Sequence, residues 1–483
     1  MNNLLVMKFG GTSMGSAERI RVAAEISAEQ SRHRPVIVVV SAMSKVTDLL
    51  LDTLRHAEGG DRAGLEENLR KLEQRHVEAC QELLPPEGRD SALTVIHSLI
   101  AEFGRIANGM LMLGERPPRS VDEAIAIGER LSSFLLSSYL ESQDIRSIAV
   151  NARDVIVTDA VFGNATPLMG QTAERAQAVL LPPLKAGVLP VVTGFNGATI
   201  DGRPTTLGRG GSDFSASILA ASLDAAELWI WTDVNGIMTA DPRLAPDAAV
   251  LEEVTYREAA ELAYNGAKVL HPRTLAPLVE KGIPVWSKNS FDVSQPGTKI
   301  VPELDLPGGA RAVTSMSDVA LISIETNSAA INGTRVMARA IEALATANAE
   351  VLALSSSSYR QSFCFLVRQS EAQSALEALE ANLSLELAHG YLHPIEIDTE
   401  VGLLAVVGEG MQGTPGIAGR IFTAISREYV NIIAIAQGSS ELTIAIVVRR
   451  DGLEKAVKAV HAECRMGTPP RREDECSPVQ VGS

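Results

Sequence analysis

The first chemistry legible in this sequence sits at its N-terminal end, where Leu4-Leu5-Val6-Met7 runs into Lys8-Phe9-Gly10-Gly11-Thr12-Ser13. A strand that ends on a cation and turns through glycines into a helix is built to hold phosphate. Glycines let the backbone approach oxyanions, and the free N–H groups of a helix start favour negative charge. The string is not a P-loop, which needs Gly-x-x-x-x-Gly-Lys-Ser/Thr. A second glycine-rich turn, Thr205-Thr206-Leu207-Gly208-Arg209-Gly210-Gly211-Ser212-Asp213, precedes another helical pattern, with Ser212 or Asp213 near its N-cap. Arg209 between glycines can offer a planar fork to a carboxylate. Two such turns, each with a cation and hydroxyls, predict a site where carboxylates and phosphates meet. Two further strings leave apolar runs through turn residues: Trp231-Thr232-Asp233-Val234-Asn235-Gly236-Ile237-Met238-Thr239-Ala240-Asp241-Pro242-Arg243, and Asn265-Gly266-Ala267-Lys268-Val269-Leu270-His271-Pro272. No His/Cys/Asp group has zinc spacing, and no Ser/His/Asp signature occurs.

These turns must be held by strands. Candidates are Leu4–Met7, Pro35–Val40, Ser147–Val150, Leu189–Thr193 and Leu228–Trp231, separated by helical patterns at Ala17–Ala28, Val121–Ser142 and Ser212–Leu223. Val36–Val40 is apolar without alternation, as in a strand covered on both faces. The alternation of strand and helix predicts an α/β fold with a mainly parallel central sheet. Residues 52–115, rich in Glu, Arg, Leu and Gln, read as a helical insertion in a catalytic domain spanning 1–300. Pro and Gly cluster over 293–311, so 301–315 reads as a linker and a first strand. Beyond it the order βαββα occurs twice, about 85 residues apart, an internal duplication with repeats at 316–398 and 399–465. The Pro- and charge-bearing tail 466–483 is expected to be disordered.

Composition narrows the partners. A formal charge of −16 repels phosphate on average, which argues against broad nucleic-acid or anionic-membrane binding and leaves room for a local basic pocket. The cysteines at 80, 364, 464 and 476 lack Cys-x-x-Cys spacing, so reduced thiols in the cytoplasm are expected. No run approaches the roughly 20 apolar residues of a membrane span.

Taken in order, these strings resemble the aspartate kinases of the amino-acid kinase superfamily. The match covers Met7–Ile300 and also takes in Ser41-Ala42 with Thr47 and Gly128-Glu129-Arg130-Leu131-Ser132. The resemblance implies phosphoryl transfer from ATP to the side-chain carboxylate of L-aspartate, the entry step of lysine, threonine and methionine biosynthesis. It implies that Lys8 and the amides of Gly10 and Gly11 stabilise the moving phosphoryl group. Arg209 would hold the substrate α-carboxylate and Glu129 its ammonium. Ser41, Thr47 and Ser212 would add hydrogen bonds, and Asp213 would orient the ammonium or Lys8. Thr232, Asp233, Arg243 and Lys268 would hold ATP, with Mg²⁺ kept by phosphates and water and no dedicated protein metal site. Met238 stands where several relatives carry Tyr, so a softer apolar contact replaces an aromatic one beside the nucleotide.

In the C-terminal half, Gly408-Glu409-Gly410-Met411-Gln412-Gly413 matches Gly-x-Gly-x-x-Gly between a strand and a helix. The next two strands, Asn431–Ala436 and Leu442–Val448, are too close for a parallel crossover and predict an antiparallel hairpin, which argues against a dinucleotide site. The duplicated pattern resembles paired ACT domains, α+β amino-acid sensors, in which the strand after the linker joins the second module. Ile435–Glu441 looks most like the kinase half of aspartokinase–homoserine dehydrogenases, with the chain ending too early to hold the dehydrogenase half. That implies feedback by threonine, with lysine next, at Asn431, Ile432 and Gln437. The first repeat, through Asn327-Ser328-Ala329-Ala330-Ile331-Asn332-Gly333, lacks the usual glycine pattern. Apolar strand edges predict a homodimer or larger homo-oligomer. The alternatives are a superfamily kinase acting on glutamate, acetylglutamate or UMP, and a non-catalytic amino-acid sensor.

Overall fold

The computed structural model describes residues 3–267, 270–304, 308–327, 331–357, 362–464 and 466. Their contacts divide them into two compact units, one drawn from 1–237, 252–256 and 270–304, the other from 238–251, 257–269 and 305–483. The expected catalytic stretch 1–300 therefore lends two internal segments to the second unit.

In the first unit, β1 (Leu5–Phe9), α1 (Ala17–Ser31) and β2 (Val36–Val40) lead into the helices α2 (Val46–Glu58), α3 (Arg62–Leu83) and α4 (Pro86–Leu113). The expected helical stretch thus holds helices alone. Next come α5 (Pro118–Ile125), α6 (Ile127–Ser142), β3 (Ser147–Val150), β4 (Val157–Thr158) and α7 (Met169–Lys185). The single helix expected over 121–142 is two: at Ala126 ψ is −15° and the amide reaches Asp122 O only at 3.4 Å, so the turn loosens and α6 starts afresh. Then follow β5 (Leu189–Thr193), β6 (Asn196–Thr199), β7 (Pro204–Thr206), α8 (Gly211–Ser222) and β8 (Glu227–Thr232). β9 (Glu253–Thr255) runs into α9 (Tyr256–Tyr264), which passes into the second unit after Tyr256. α10 (Pro272–Val279), β10 (Val285–Asn289) and β11 (Thr298–Val301) complete the unit.

The main sheet has the order β3-β5-β2-β1-β8-β10-β11-β9, parallel throughout except between β10 and β11. β1 and β2 are buried at every residue, as their unbroken apolar runs require. In register, Phe9 lies between Val40 and Trp231, so the turns after β1, β2 and β8 leave neighbouring strands at one edge. Ligands of open α/β sheets gather at that carboxyl edge.

The second unit contains β12 (Ala312–Met316), β13 (Val319–Ile324), α11 (Gly333–Thr346), β14 (Ala353–Ser356), β15 (Phe363–Arg368), α12 (Ala372–Asn382) and α13 (Ser384–Ala388). It continues with β16 (Glu396–Asp398), β17 (Val401–Val407), α14 (Ile417–Arg427), β18 (Ile432–Gln437), β19 (Thr443–Arg449) and α15 (Leu453–Glu463). Two four-stranded antiparallel sheets result, ordered β14-β15-β13-β16 and β12-β17-β19-β18. The strand after the linker, β12, pairs with β17 of the second repeat, as the resemblance implies. β18 and β19 form the expected antiparallel hairpin. Gly408 is a glycine for packing: a Cβ there would lie 2.7 Å from Gly309 O and 2.8 Å from Arg311 N, where the chain enters β12.

The segment 238–251 is built into this unit. Thr239 O accepts from Val313 N at 2.8 Å, and Ala240 and Ala245 join the core formed by β17, β19, α14 and α15. Thr239 Oγ1 lies 3.0 Å from Nε2 of His461 on α15, both fully buried.

Candidate active site

Lys8 occupies the penultimate position of β1, inside the sheet, and is 7% exposed. Its Nζ lies 2.5 Å from Asp213 Oδ1, an ion pair outside hydrogen-bond geometry. Asp213 stands in the first turn of α8, where the helix dipole favours a negative side chain. The β1 turn packs tightly between its neighbours: Gly10 N–H donates to Trp231 O at 3.2 Å, and a Cβ on Gly11 would stand 3.3 Å from Ala42 O. Ser13 Oγ lies 2.7 Å from Ser290 Oγ, which in turn donates to Thr232 O at 3.1 Å. Both residues tie the glycine turn to the end of β8. Trp231, fully buried, stacks on Phe9 with centroids 6.0 Å apart, which fixes the two strand ends side by side.

On the other flank, Ser41 N–H donates to Phe9 O at 3.1 Å, and Ala42 N–H donates to Glu129 Oε1 at 3.2 Å. Gly128 allows α6 to come this close, because a Cβ there would meet Ala42 Cβ at 2.9 Å. Glu129 is 2% exposed, and its Oε2 has no hydrogen-bond partner among the described residues. Burial pushes its carboxyl up to about 8, against the pull of the Ala42 amide. A buried acid with one unmet oxygen is a site prepared for a cationic group, which would satisfy that oxygen and favour the carboxylate.

Arg209 is exposed, with no ion pair among the described residues, between Gly208 at φ +75° and Gly210 at φ +69°. Ser212 packs against Gly194, where a Cβ would lie 2.7 Å from its own. Thr47 is half-buried in the first turn of α2. Thr232 is half-buried and its Oγ1 accepts from Val234 N at 3.3 Å, while Asp233 is exposed.

Lys8, Gly10, Gly11, Ser41, Glu129, Ser212, Asp213 and Thr232 thus join through one set of contacts. Met238 and Arg243 belong to the second unit, where Met238 bridges to Val250 and Arg243 pairs with Asp241 at 2.6 Å. Lys268 lies outside the described residues, as do Ser328–Ala330 of the first repeat. Asn431, Ile432 and Gln437 lie on or beside the edge strand β18. A bulge after Ile432 brings Ile432 and Gln437 to the same sheet face, opposite Val448 and Ile444. Sequence reasoning passed over Ser13, Ser290, Asp122 and Arg273. Of these, Ser13 carried a signal as a hydroxyl of the first glycine-rich string, and Asp122 another, as an acid set in the apolar stripe of a helical pattern.

A cation fixed by an acid, glycine amides at the carboxyl edge of a parallel sheet, and a buried acid beside them can hold a phosphoryl group next to an amino compound. Two family models match the chain: the amino acid kinase family over residues 3–289, and the ACT domain over 329–383 and 404–464. The chain belongs to the amino acid kinase family. Its relatives within that family are aspartokinases. The chain is 31% identical to the aspartokinase of Schizosaccharomyces pombe, over 95% of this chain and 92% of that protein. It is 34% identical to a chloroplastic bifunctional aspartokinase/homoserine dehydrogenase of Arabidopsis thaliana, over 95% of this chain and 50% of that protein. The chain therefore spans about half the length of the bifunctional relatives it matches. Among solved amino acid kinases, aspartokinase III of E. coli with aspartate and ADP superposes with a TM-score of 0.80 at 30% identity, covering 95% of this chain and 99% of that one. The same protein with lysine and aspartate gives 0.79 at 29% identity, again over 95% and 99%.

Proposed function

We propose that this chain is a feedback-regulated aspartate kinase, transferring the γ-phosphoryl group of ATP to the side-chain carboxylate of L-aspartate. The observation that carries the reading is the half-satisfied buried Glu129 joined to the glycine turn that holds Lys8. Glu129 takes the substrate ammonium and Arg209 the α-carboxylate, which leaves the side-chain carboxylate free to face the phosphate. That carboxylate is ionised at neutral pH, so no general base is needed. One of its oxygens bonds to the γ-phosphorus as the bond to the β–γ bridging oxygen breaks, and ADP leaves with the electron pair. Lys8 neutralises the charge spread over the moving group, and the amides of Gly10 and Gly11 donate to it. Asp213 holds Lys8 in place, while Ser41, Thr47 and Ser212 add hydrogen bonds to the substrate. Thr232, Asp233, Met238, Arg243 and Lys268 serve the nucleotide.

Mg²⁺ accompanies ATP and draws charge from the phosphates when bound. Among the described residues no group of three or more His, Cys, Asp and Glu side chains is placed to hold a metal ion. Asp213 is engaged by Lys8 and Glu129 is buried, so the donor set suits an ion held by phosphate oxygens and water.

The regulatory ligand is an amino acid bound at Asn431, Ile432 and Gln437. Threonine is favoured by the resemblance of Ile435–Glu441, and lysine by the complex of E. coli aspartokinase III. The chain assembles as a homo-oligomer through its ACT strand edges, and its three described free cysteines suit a reducing compartment such as the cytoplasm. No helix among the described residues is long and apolar enough to cross a membrane.

An ADP-release assay over aspartate, glutamate, acetylglutamate and UMP tests the activity. Turnover on aspartate alone is expected; turnover on another acceptor with none on aspartate overturns the reading. Calorimetric titration with threonine and lysine separately identifies the effector.

A further inference from the structure

Arg209 sits between two glycines of positive φ, so its own backbone does little to fix where its fork points. The segments on which it stands are pinned from two sides. Asp122, on α5 and 1% exposed, receives Gly163 N at 2.8 Å and Thr206 N at 2.9 Å on Oδ2, and Thr206 Oγ1 at 2.8 Å on Oδ1. From the other side Arg273, on α10, donates to Ala165 O at 2.8 Å, to Leu207 O at 3.1 Å and to Asn164 Oδ1. Its guanidinium also lies over the Phe214 ring of α8, 4.8 Å from the centroid. Ala165 N–H closes the pair of segments by donating to Thr206 O at 2.8 Å. At Gly208 the approach is so close that a Cβ would stand 2.6 Å from Asn164 Oδ1.

One acid and one arginine from distant helices therefore hold residues 163–165 and 206–207 as a single block, and Arg209 leaves that block through Gly208. Neither side chain belongs to any glycine-rich string, and a helix needs neither for its own stability. We infer that Asp122 and Arg273 are positioning residues for substrate recognition, setting the direction of Arg209 and with it the fit of the amino-acid α-carboxylate. The inference rests on the proposed role of Arg209.

The test is steady-state kinetics of the full chain carrying Asp122→Asn, Arg273→Lys or Arg209→Ala, and the Asp122→Asn/Arg209→Ala double variant. Asn keeps the shape of Asp122 but loses its charge, so one oxygen still takes the backbone N–H groups of Gly163 and Thr206 while the Thr206 hydroxyl faces an amide NH2, and the charge-assisted bonds are lost. Lys keeps the charge of Arg273 but loses the fork that serves three acceptors. Each single variant is expected to raise KM for aspartate about 10- to 100-fold, the cost of losing charge-assisted hydrogen bonds, with KM for ATP nearly unchanged. In the double variant Asp122→Asn should add little to the effect of Arg209→Ala, because it acts through that residue. Unchanged KM for aspartate in folded Asp122→Asn and Arg273→Lys, with Arg209→Ala impaired, overturns the clamp and leaves the function standing. Multiplied effects in the double variant, or equal loss on aspartate and ATP, likewise reduce the clamp to a structural brace. If Arg209→Ala itself leaves KM for aspartate unchanged, the proposed role of Arg209 falls first. Should Asp122→Asn fail to fold, Arg273→Lys and Thr206→Val carry the same comparison.

Discussion

Lys8 Nζ and Asp213 Oδ1 stand 2.5 Å apart, joining the end of β1 to the first turn of α8 across the two glycine-rich turns. The pair is largely buried, at 9% and 21% side-chain exposure, so neither charge has ready access to water. An incoming phosphoryl group would compete with Asp213 for the same ammonium. Lys8→Ala should lower turnover about 100- to 1,000-fold, the scale of losing one preorganised donor, while effector titration is unaffected. Turnover within a few-fold of the unaltered chain would remove Lys8 from the mechanism. Asp213→Asn should impair turnover less, because Lys8 remains.

On the proposed role of Glu129, aspartate binding should depend on pH. Its carboxyl is pushed up to about 8, so it is mostly protonated at neutral pH and must lose that proton to pair with an ammonium. Affinity for aspartate should rise as pH climbs from 6 to 8, and binding should release protons, read as buffer-dependent enthalpy in calorimetry. Glu129→Gln should bind weakly at every pH. For the free protein the sign is opposite: the folded pKa is raised, so stability present below the ordinary carboxyl range is lost as pH rises through about 8. Aspartate should therefore stabilise the chain against heat more at pH 8.5 than at pH 6. An equal thermal shift at both would count against this role.

His76, in α3, titrates the other way. It is fully buried, Nδ1 lies 2.7 Å from Leu72 O, and burial lowers its pKa from 6.5 to about 4. The unfolded chain takes up a proton that the folded one refuses, so stability is lost as pH falls from 6.5 towards 4. The cost is roughly 3 kcal/mol at the low end. Denaturant titrations of the unaltered chain and of His76→Gln should diverge over that window, with the variant the flatter.

Gly408→Ala should injure the second unit. The new methyl meets backbone at 2.7 Å on the chain entering β12, which cannot rotate aside as a side chain would. A loss of about 1–3 kcal/mol in unfolding, with weakened effector binding, is expected. A dinucleotide role for this glycine predicts neither.

The sequence made the elements legible where burial on both faces writes an unbroken apolar run, as in β1 and β2. β10 was missed because Val285-Trp286-Ser287-Lys288-Asn289 mixes apolar and polar side chains, and its strand state depends on pairing with β8 and β11. The glycine turns were readable because close approach restricts residue choice. Glu129 was readable only through resemblance, since nothing local separates an acid aimed at a site from one facing water. Arg273 escaped entirely: the hydrogen-bond partners of its side chain lie more than 60 residues away, and no local pattern encodes them.

The burial of Thr239, Ala240 and Ala245 in the core of the second unit bears on how this chain can be divided. A gene cut after codon 300 would keep these residues and discard their surroundings, leaving Thr239 without His461 and both alanines facing solvent. On the proposed function, catalysis without regulation is then better sought by point substitution on β18 than by truncation, for the second unit also serves as scaffold to a segment encoded upstream of it.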